Sequence, residues 1–209
     1  MKGIFITIEG MDGAGKSTQI RYMKEFFEER GLQVLLTREP GGTNIGEKIR
    51  ELILDKNHLE MSEITEALLY AASRAQHVKE TILPAIDKGI IVLCDRYVDS
   101  SLVYQGKGRG LGYEAIKMIN DFATCCLAPD LTILFDIAPE LSLKRINIGE
   151  DGDRLEREAI DFHLTVHSAY MELSEMYPHR IKVVKANKGI EDIRLEVEGL
   201  LKQILEGGI

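Results

Sequence analysis

Eight consecutive residues, Gly10-Met11-Asp12-Gly13-Ala14-Gly15-Lys16-Ser17, follow the pattern G-x-x-x-x-G-K-[ST], and the chemistry they offer is a cradle for phosphates. Backbone N–H groups in such a loop converge on an anion, glycines let the chain approach its oxygens, and the next helix presents its positive end. Lys16 is placed to reach the β- and γ-phosphates and Ser17 to offer a hydroxyl to Mg²⁺. The expected triphosphate-binding set is Gly10, Met11, Asp12, Gly13, Ala14, Gly15, Lys16, Ser17 and Thr18.

Three further groups of residues carry chemistry. Asp95-Arg96-Tyr97 follows the apolar run Ile90-Ile91-Val92-Leu93-Cys94. A carboxylate delivered at a strand end beside a P-loop is the arrangement that holds Mg²⁺. Arg96 would then stand by the transferred phosphoryl group, where its planar fork can bind two oxygens. Thr37-Arg38-Glu39-Pro40-Gly41-Gly42 ends another apolar run; its spacing fits equally a site loop and a turn with solvated charges. Tyr70 and Arg74 lie i,i+4 on one helical face, off the apolar stripe of Leu68, Ala71 and Ala75. Exposed together they could stack on a base and bond its edge, or form an ordinary solvated face.

The elements that must position these residues alternate along the chain. Apolar, β-branched runs at 3–9, 33–37, 90–94, 131–135 and 181–184 read as strands. Helical patterns separate them, through Ile20, Met23, Phe26 and Phe27; Ile45, Ile49, Leu52 and Ile53, with Asn44 as N-cap; Ile64 to Ile82, interrupted at Pro84; Ile116, Ile119, Phe122, Ala123 and Cys126; about Leu155 to Met176; and Ile190 to Ile204. Gly106 to Gly112 reads as a loop. This alternation predicts one α/β domain over 1–209, a three-layer P-loop NTPase sandwich whose five-stranded parallel sheet has helices on both faces. Right-handed crossovers would bring the P-loop and the strand-end residues to one carboxyl edge.

Composition narrows the classes. At 209 residues the chain can bury a core without staples. Its formal charge of −8 and lack of a basic stripe argue against a nucleic-acid partner. No run of about 18 apolar residues is present, and the opening apolar run ends at Glu9, so neither a membrane span nor a signal peptide is expected. Cys94, Cys125 and Cys126 lack metal-ligand spacing and read as buried small hydrophobes in a reducing, cytoplasmic setting. His163 and His167 are i,i+4, but Leu164 stands where a zincin carries Glu, so both read as packing or surface residues.

In order and spacing, Gly10 to Ser17, Thr37 to Gly42, Leu69-Tyr70-Ala71-Ala72-Ser73-Arg74, Asp95-Arg96-Tyr97, Ser100 to Gly106 and Pro129-Asp130-Leu131 together resemble the bacterial thymidylate kinases across essentially the whole chain. The resemblance implies transfer of the ATP γ-phosphate to dTMP, with Mg²⁺ held through Ser17 and Asp95, by a homodimer packed through helices. It implies an acceptor-binding segment over about 38–105 and a mobile lid over about 146–157. Arg38 and Arg96 resemble the clamp on the acceptor phosphate, and Tyr70 the aromatic that stacks on thymine. Arg74 resembles the donor to a thymine carbonyl, and Ser101 and Gln105 the readers of the base edge. Tyr104 is similar to the ring that crowds the sugar 2′ position, and Asp12 to the acid at the 3′-hydroxyl; Glu39 and Arg50 line the same pocket.

Met11 to Ala14 contain no basic residue, so the resemblance implies that a lid supplies it. Arg154 in Asp153-Arg154-Leu155-Glu156 fits that role, with Arg145 or Arg157 assisting. The catalytic set so implied is Lys16, Arg38, Arg96 and Arg154. The rivals are a kinase for another nucleoside monophosphate or for a deoxynucleoside. A GTPase is disfavoured because Asn187-Lys188-Gly189-Ile190 lacks the closing Asp of the guanine motif.

Overall fold

A computed structural model describes residues 3–146, 154–155 and 158–207. Five parallel strands, β1 (Phe5–Gly10), β2 (Val34–Arg38), β3 (Ile91–Asp95), β4 (Leu131–Asp136) and β5 (Ile181–Lys185), form one sheet in the order β2-β3-β1-β4-β5. All five lie within a residue or two of the expected runs. The chain steps from β1 outward to β2, returns to β3, and crosses to β4 on the other side, so β1 marks the switch point where α/β sheets bind ligands.

Alternation along the central strands feeds two faces. Ile6, Ile8, Leu93, Ile133 and Phe135 pack with Met23 and Phe27 of α1 (Lys16–Glu28) and with Ile193, Val197 and Leu201 of α9 (Ile190–Leu205). On the opposite face Phe5, Val92 and Cys94 pack on Val78, Ile82 and Ile86. Leu134 and Ile181 there meet Val166, Tyr170 and Leu173 of α8 (Ile160–Met176). Strands buried on both sides need apolar residues at successive positions, which is why these runs are continuous.

Between the strands lie α2 (Asn44–Leu54), α3 (Glu63–His77), α4 (Leu83–Asp87), α5 (Val98–Ser101), α6 (Tyr113–Thr124) and α7 (Pro139–Ile146). Two π-helical segments, Val78–Ile82 and Leu102–Gly108, follow α3 and α5 directly. The first ends where Leu83 N–H bonds to the Val78 carbonyl, one residue before Pro84, so the interruption expected at Pro84 is absorbed by a widened turn. The second runs into the segment expected to be a loop from Gly106.

Several expectations are corrected. Thr43, not Asn44, caps α2: its extended backbone lets Oγ1 accept the Gly46 N–H at 2.9 Å. The helix expected from about Leu155 begins at Ile160. Cys125 and Cys126 are exposed, because α6 stops at Thr124 and both residues take left-handed backbone angles. Phe122, read as part of an inward stripe, is 90% exposed, since α6 turns Ile116, Asn120 and Thr124 inward instead.

Candidate active site

The carboxyl edge of the sheet brings together the ends of β1, β2 and β3. At the end of β1, a Cβ on Gly10 would lie 2.5 Å from the Phe135 carbonyl oxygen, and one on Gly13 would lie 2.7 Å from that of Ser142. Both glycines also hold positive φ, so the turn demands them twice over. The loop ends on α1, whose first turn contains no acidic residue to offset its positive end. Lys16 is folded back along the loop, where its Nζ donates to the carbonyls of Gly10 at 3.0 Å and Met11 at 2.9 Å. Burial, then neighbouring Arg96, lowers its pKa.

Arg96 is the hub of the site. Its backbone sits at φ 69°, a left-handed angle that a long side chain seldom adopts. Nη2 donates to Asp12 Oδ1 at 2.7 Å, Nη1 donates to Ser100 Oγ at 3.2 Å, and the guanidinium lies 5.3 Å from the Tyr104 ring centroid. Burial works against ionising Asp12, but Arg96 and then Lys16 outweigh it and hold the carboxyl well below the usual range. Burial is also the main reason why the Tyr104 hydroxyl is pushed up to about 12.

The strained turn at Arg96 is held from beneath by Glu9, which is fully buried. Glu9 Oε1 accepts the Tyr97 N–H at 2.8 Å and the Ser100 N–H at 3.3 Å. Oε2 accepts Ser100 Oγ at 2.6 Å and the Tyr170 hydroxyl at 2.9 Å. Burial, reinforced by Asp99, raises its pKa to about 7.

Beside the P-loop opens a cleft lined among others by Asp12, Glu39, Arg50, Tyr70, Arg74, Arg96, Ser101, Tyr104 and Gln105. Nine sequence-predicted substrate residues thus share one wall. Arg38 is the exception: Nη2 pairs with Glu47 Oε2 at 3.0 Å and Nη1 donates to the Pro40 carbonyl, leaving its side chain half exposed and off the wall.

Arg74 is not exposed beside Tyr70, as the helical face suggested; only 1% of it is accessible. Its Nε donates to Glu39 Oε2 at 2.6 Å, Nη1 to Ser101 Oγ and Asn120 Oδ1, and Nη2 to the Tyr97 carbonyl. Glu39 Oε1 in turn accepts from His77 Nδ1 at 2.9 Å. A buried guanidinium is tolerable only in such a filled shell. The polar inner face of α6, with Asn120, exists to meet it.

The lid arginines stand apart. Arg154 Nη2 lies 2.5 Å from Glu66 Oε2 and its Nε donates to the Ile53 carbonyl, on the acceptor side of the cleft. Arg145 at the end of α7 reaches the P-loop itself, donating to the Gly13 and Ala186 carbonyls at 3.3 Å. Arg157 and most of the expected lid lie outside the described residues.

For a divalent cation, Asp95 and Ser17 offer the fitting donors. Asp95 Oδ1 is sealed from solvent and, among the described residues, has no hydrogen-bond partner. Ser17 is exposed at the start of α1. Two hard oxygens beside a phosphate loop suit Mg²⁺.

Sequence reasoning missed Glu9, Glu66, Ser100, Tyr170 and the apolar wall residues Leu54 and Leu155. Signals existed for two: Glu9 is the lone charge in an apolar strand, and Glu66 precedes Tyr70 and Arg74 at helical spacing. His167 pairs with Asp136 at 2.8 Å, in keeping with a packing role.

The family model described as Thymidylate kinase matches residues 8–197. The chain belongs to the thymidylate kinase family. A thymidylate kinase of Pediococcus pentosaceus is 51% identical over 208 residues, spanning 98% of this chain and all of the relative. One of Clostridium novyi is 48% identical over 203 residues, covering 96% and 99% of the two chains. The crystal structure of thymidylate kinase from Ehrlichia chaffeensis superposes with a TM-score of 0.75 at 30% identity, over 96% of this chain and 99% of that one. Membership in this family makes the chain an ATP-dependent phosphotransferase with the P-loop fold expected from its sequence. Among the described residues, no helix is long and apolar enough to cross a membrane.

Proposed function

We propose that this protein transfers the γ-phosphate of ATP to the 5′-phosphate of dTMP, giving dTDP and ADP on the route to dTTP. The observation that carries this reading is the shared cleft: a phosphate loop opens into a wall bearing Tyr70, Arg74, Ser101 and Gln105, groups that can stack on a base and bond its edge. The acceptor oxygen is already anionic, so the reaction needs positioning and charge neutralisation more than a strong base.

Arg96, preset by Asp12, Ser100 and the Glu9 platform, takes the acceptor phosphate. Arg38 joins it by leaving Glu47, and Lys16 leaves its two carbonyls for the donor phosphates. Ser17 and Asp95 hold Mg²⁺, which when bound neutralises charge on the donor phosphates. Arg154 supplies the lid's positive charge once released from Glu66, and Arg145 assists from the P-loop's shoulder. Tyr104 guards the sugar 2′ position, Asp12 holds the 3′-hydroxyl, and Glu39 and Arg50 complete the pocket wall.

We further read the working form as a homodimer joined through α3 and α6. These helices pack together and leave Ile64, Leu68, Met118 and Phe122 exposed, an apolar surface costly to keep in water. Two adjacent, exposed free thiols, Cys125 and Cys126, fit a reducing cytoplasm.

The test is ADP release with dTMP, dUMP, dCMP, AMP and thymidine as acceptors. dTMP should give the highest kcat/KM; preference for thymidine over its monophosphate overturns the reading.

A further inference from the structure

Glu66 lies on α3 and is 1% exposed. It does not line the cleft, yet Gln105 of the cleft wall, Arg154 and Arg109 converge on it. Gln105 Nε2 donates to Oε1 at 2.8 Å. Arg154 Nη2 and Arg109 Nη2 lie 2.5 and 3.2 Å from Oε2. A carboxylate paired with two guanidinium groups can only accept hydrogen bonds, so the Gln105 amide must turn its NH₂ toward Glu66. What Gln105 then offers the cleft is its carbonyl oxygen.

Next to it on the wall stands Arg74, whose donors are similarly spoken for. A guanidinium has five N–H groups. Among the described residues one goes to Glu39, two to Ser101 and Asn120, and one to the Tyr97 carbonyl. The remaining Nη2 N–H has no such partner, and Arg74 lines the cleft. The wall therefore presents a donor beside an acceptor. A pyrimidine with C4=O and N3–H complements that pair, whereas cytosine, with an amino group at C4 and a bare N3, inverts it at both points.

We propose that Glu66 is the positioning residue that sets base specificity, by locking the Gln105 amide with its carbonyl toward the base so that the site accepts a 4-oxo pyrimidine nucleotide and rejects a 4-amino one. The inference rests on the dTMP reading of the cleft. It assigns the discrimination to a residue that touches no substrate.

Glu66→Gln tests it. The new side chain can offer Gln105 either its oxygen or its NH₂, so the Gln105 amide is no longer held in one orientation. Its donor can then be presented to the base, which suits a bare N3. The ratio of kcat/KM for dTMP to that for dCMP should fall by about tenfold or more. Glu66→Asp, which keeps an acceptor-only group, should restore the wild-type ratio even where its absolute rates drop. A merely structural role for Glu66 would lower both substrates together and leave the ratio unchanged, which overturns the proposal. Neutron diffraction from wild-type crystals grown with dTMP gives a readout independent of how Glu66→Gln folds. Amide deuterons of Gln105 directed at Glu66 support the assignment, and deuterons directed at thymine N3 refute it. Wild-type protein inactive on dTMP would instead remove the substrate reading itself.

Discussion

Replacing Glu9 by Gln should change how folding stability depends on pH. Glu9 is fully buried under the Arg96 turn, and its carboxyl is raised from the ordinary 4.5 to about 7, first by burial and then by Asp99. Ser100, Arg96 and Tyr170 oppose the rise without cancelling it. Between these two pH values the folded chain binds a proton that the unfolded chain has released. Stability from this group is therefore complete below about pH 4.5, falls as pH rises, and is lost above about 7. At about 1.4 kcal/mol for each tenfold change in proton affinity, the loss is about 3 kcal/mol. Gln cannot ionise, so Glu9→Gln lacks this slope, while every other titrating group remains in both proteins. Urea unfolding followed by circular dichroism at steps from pH 4.5 to 8 gives the two curves. The wild type should lose about 3 kcal/mol relative to the variant across that range. Curves that run parallel within about 0.5 kcal/mol would refute the assignment of a raised pKa to Glu9.

Two further outcomes are expected. Arg154→Ala should lower kcat by about 10³-fold with dTMP saturating, as loss of a charge-stabilising arginine does in phosphoryl transfer; steady-state kinetics within a few-fold of wild type would remove Arg154 from the lid role. Phe122→Glu places a charge in the exposed α3/α6 face, and sedimentation analysis should show at least a 100-fold (about 2.7 kcal/mol) weaker dimer; a wild-type monomer at micromolar concentration would refute the dimer itself.

Much of the site was legible because its signals are local. The P-loop is contiguous, and its demand for Gly10 and Gly13 is a matter of backbone angle and close approach within a few residues. The central strands β1, β3 and β4 were legible because burial on both faces forces unbroken apolar runs, and Asp95 and Arg96 stand where one such run ends. Spacing also placed Tyr70 and Arg74 on one face of a helix.

What that face meets was decided only by tertiary structure. Periodicity separates apolar from polar residues, but a polar face can look onto water or onto another polar face, and only long-range packing chooses. Arg74 looked exposed, whether onto a base or onto water, yet it is buried because Glu39, 35 residues away, and Asn120, 46 residues away, fold against it. Phe122 looked buried and is exposed because that same meeting turns α6 the other way. Glu9 and Glu66 act through partners up to 161 and 88 residues distant. The sequence by itself determined the phosphate cradle and the strand ends that surround it. Which charges lie inside, and which side chains meet along the cleft, followed from elements brought together across the chain.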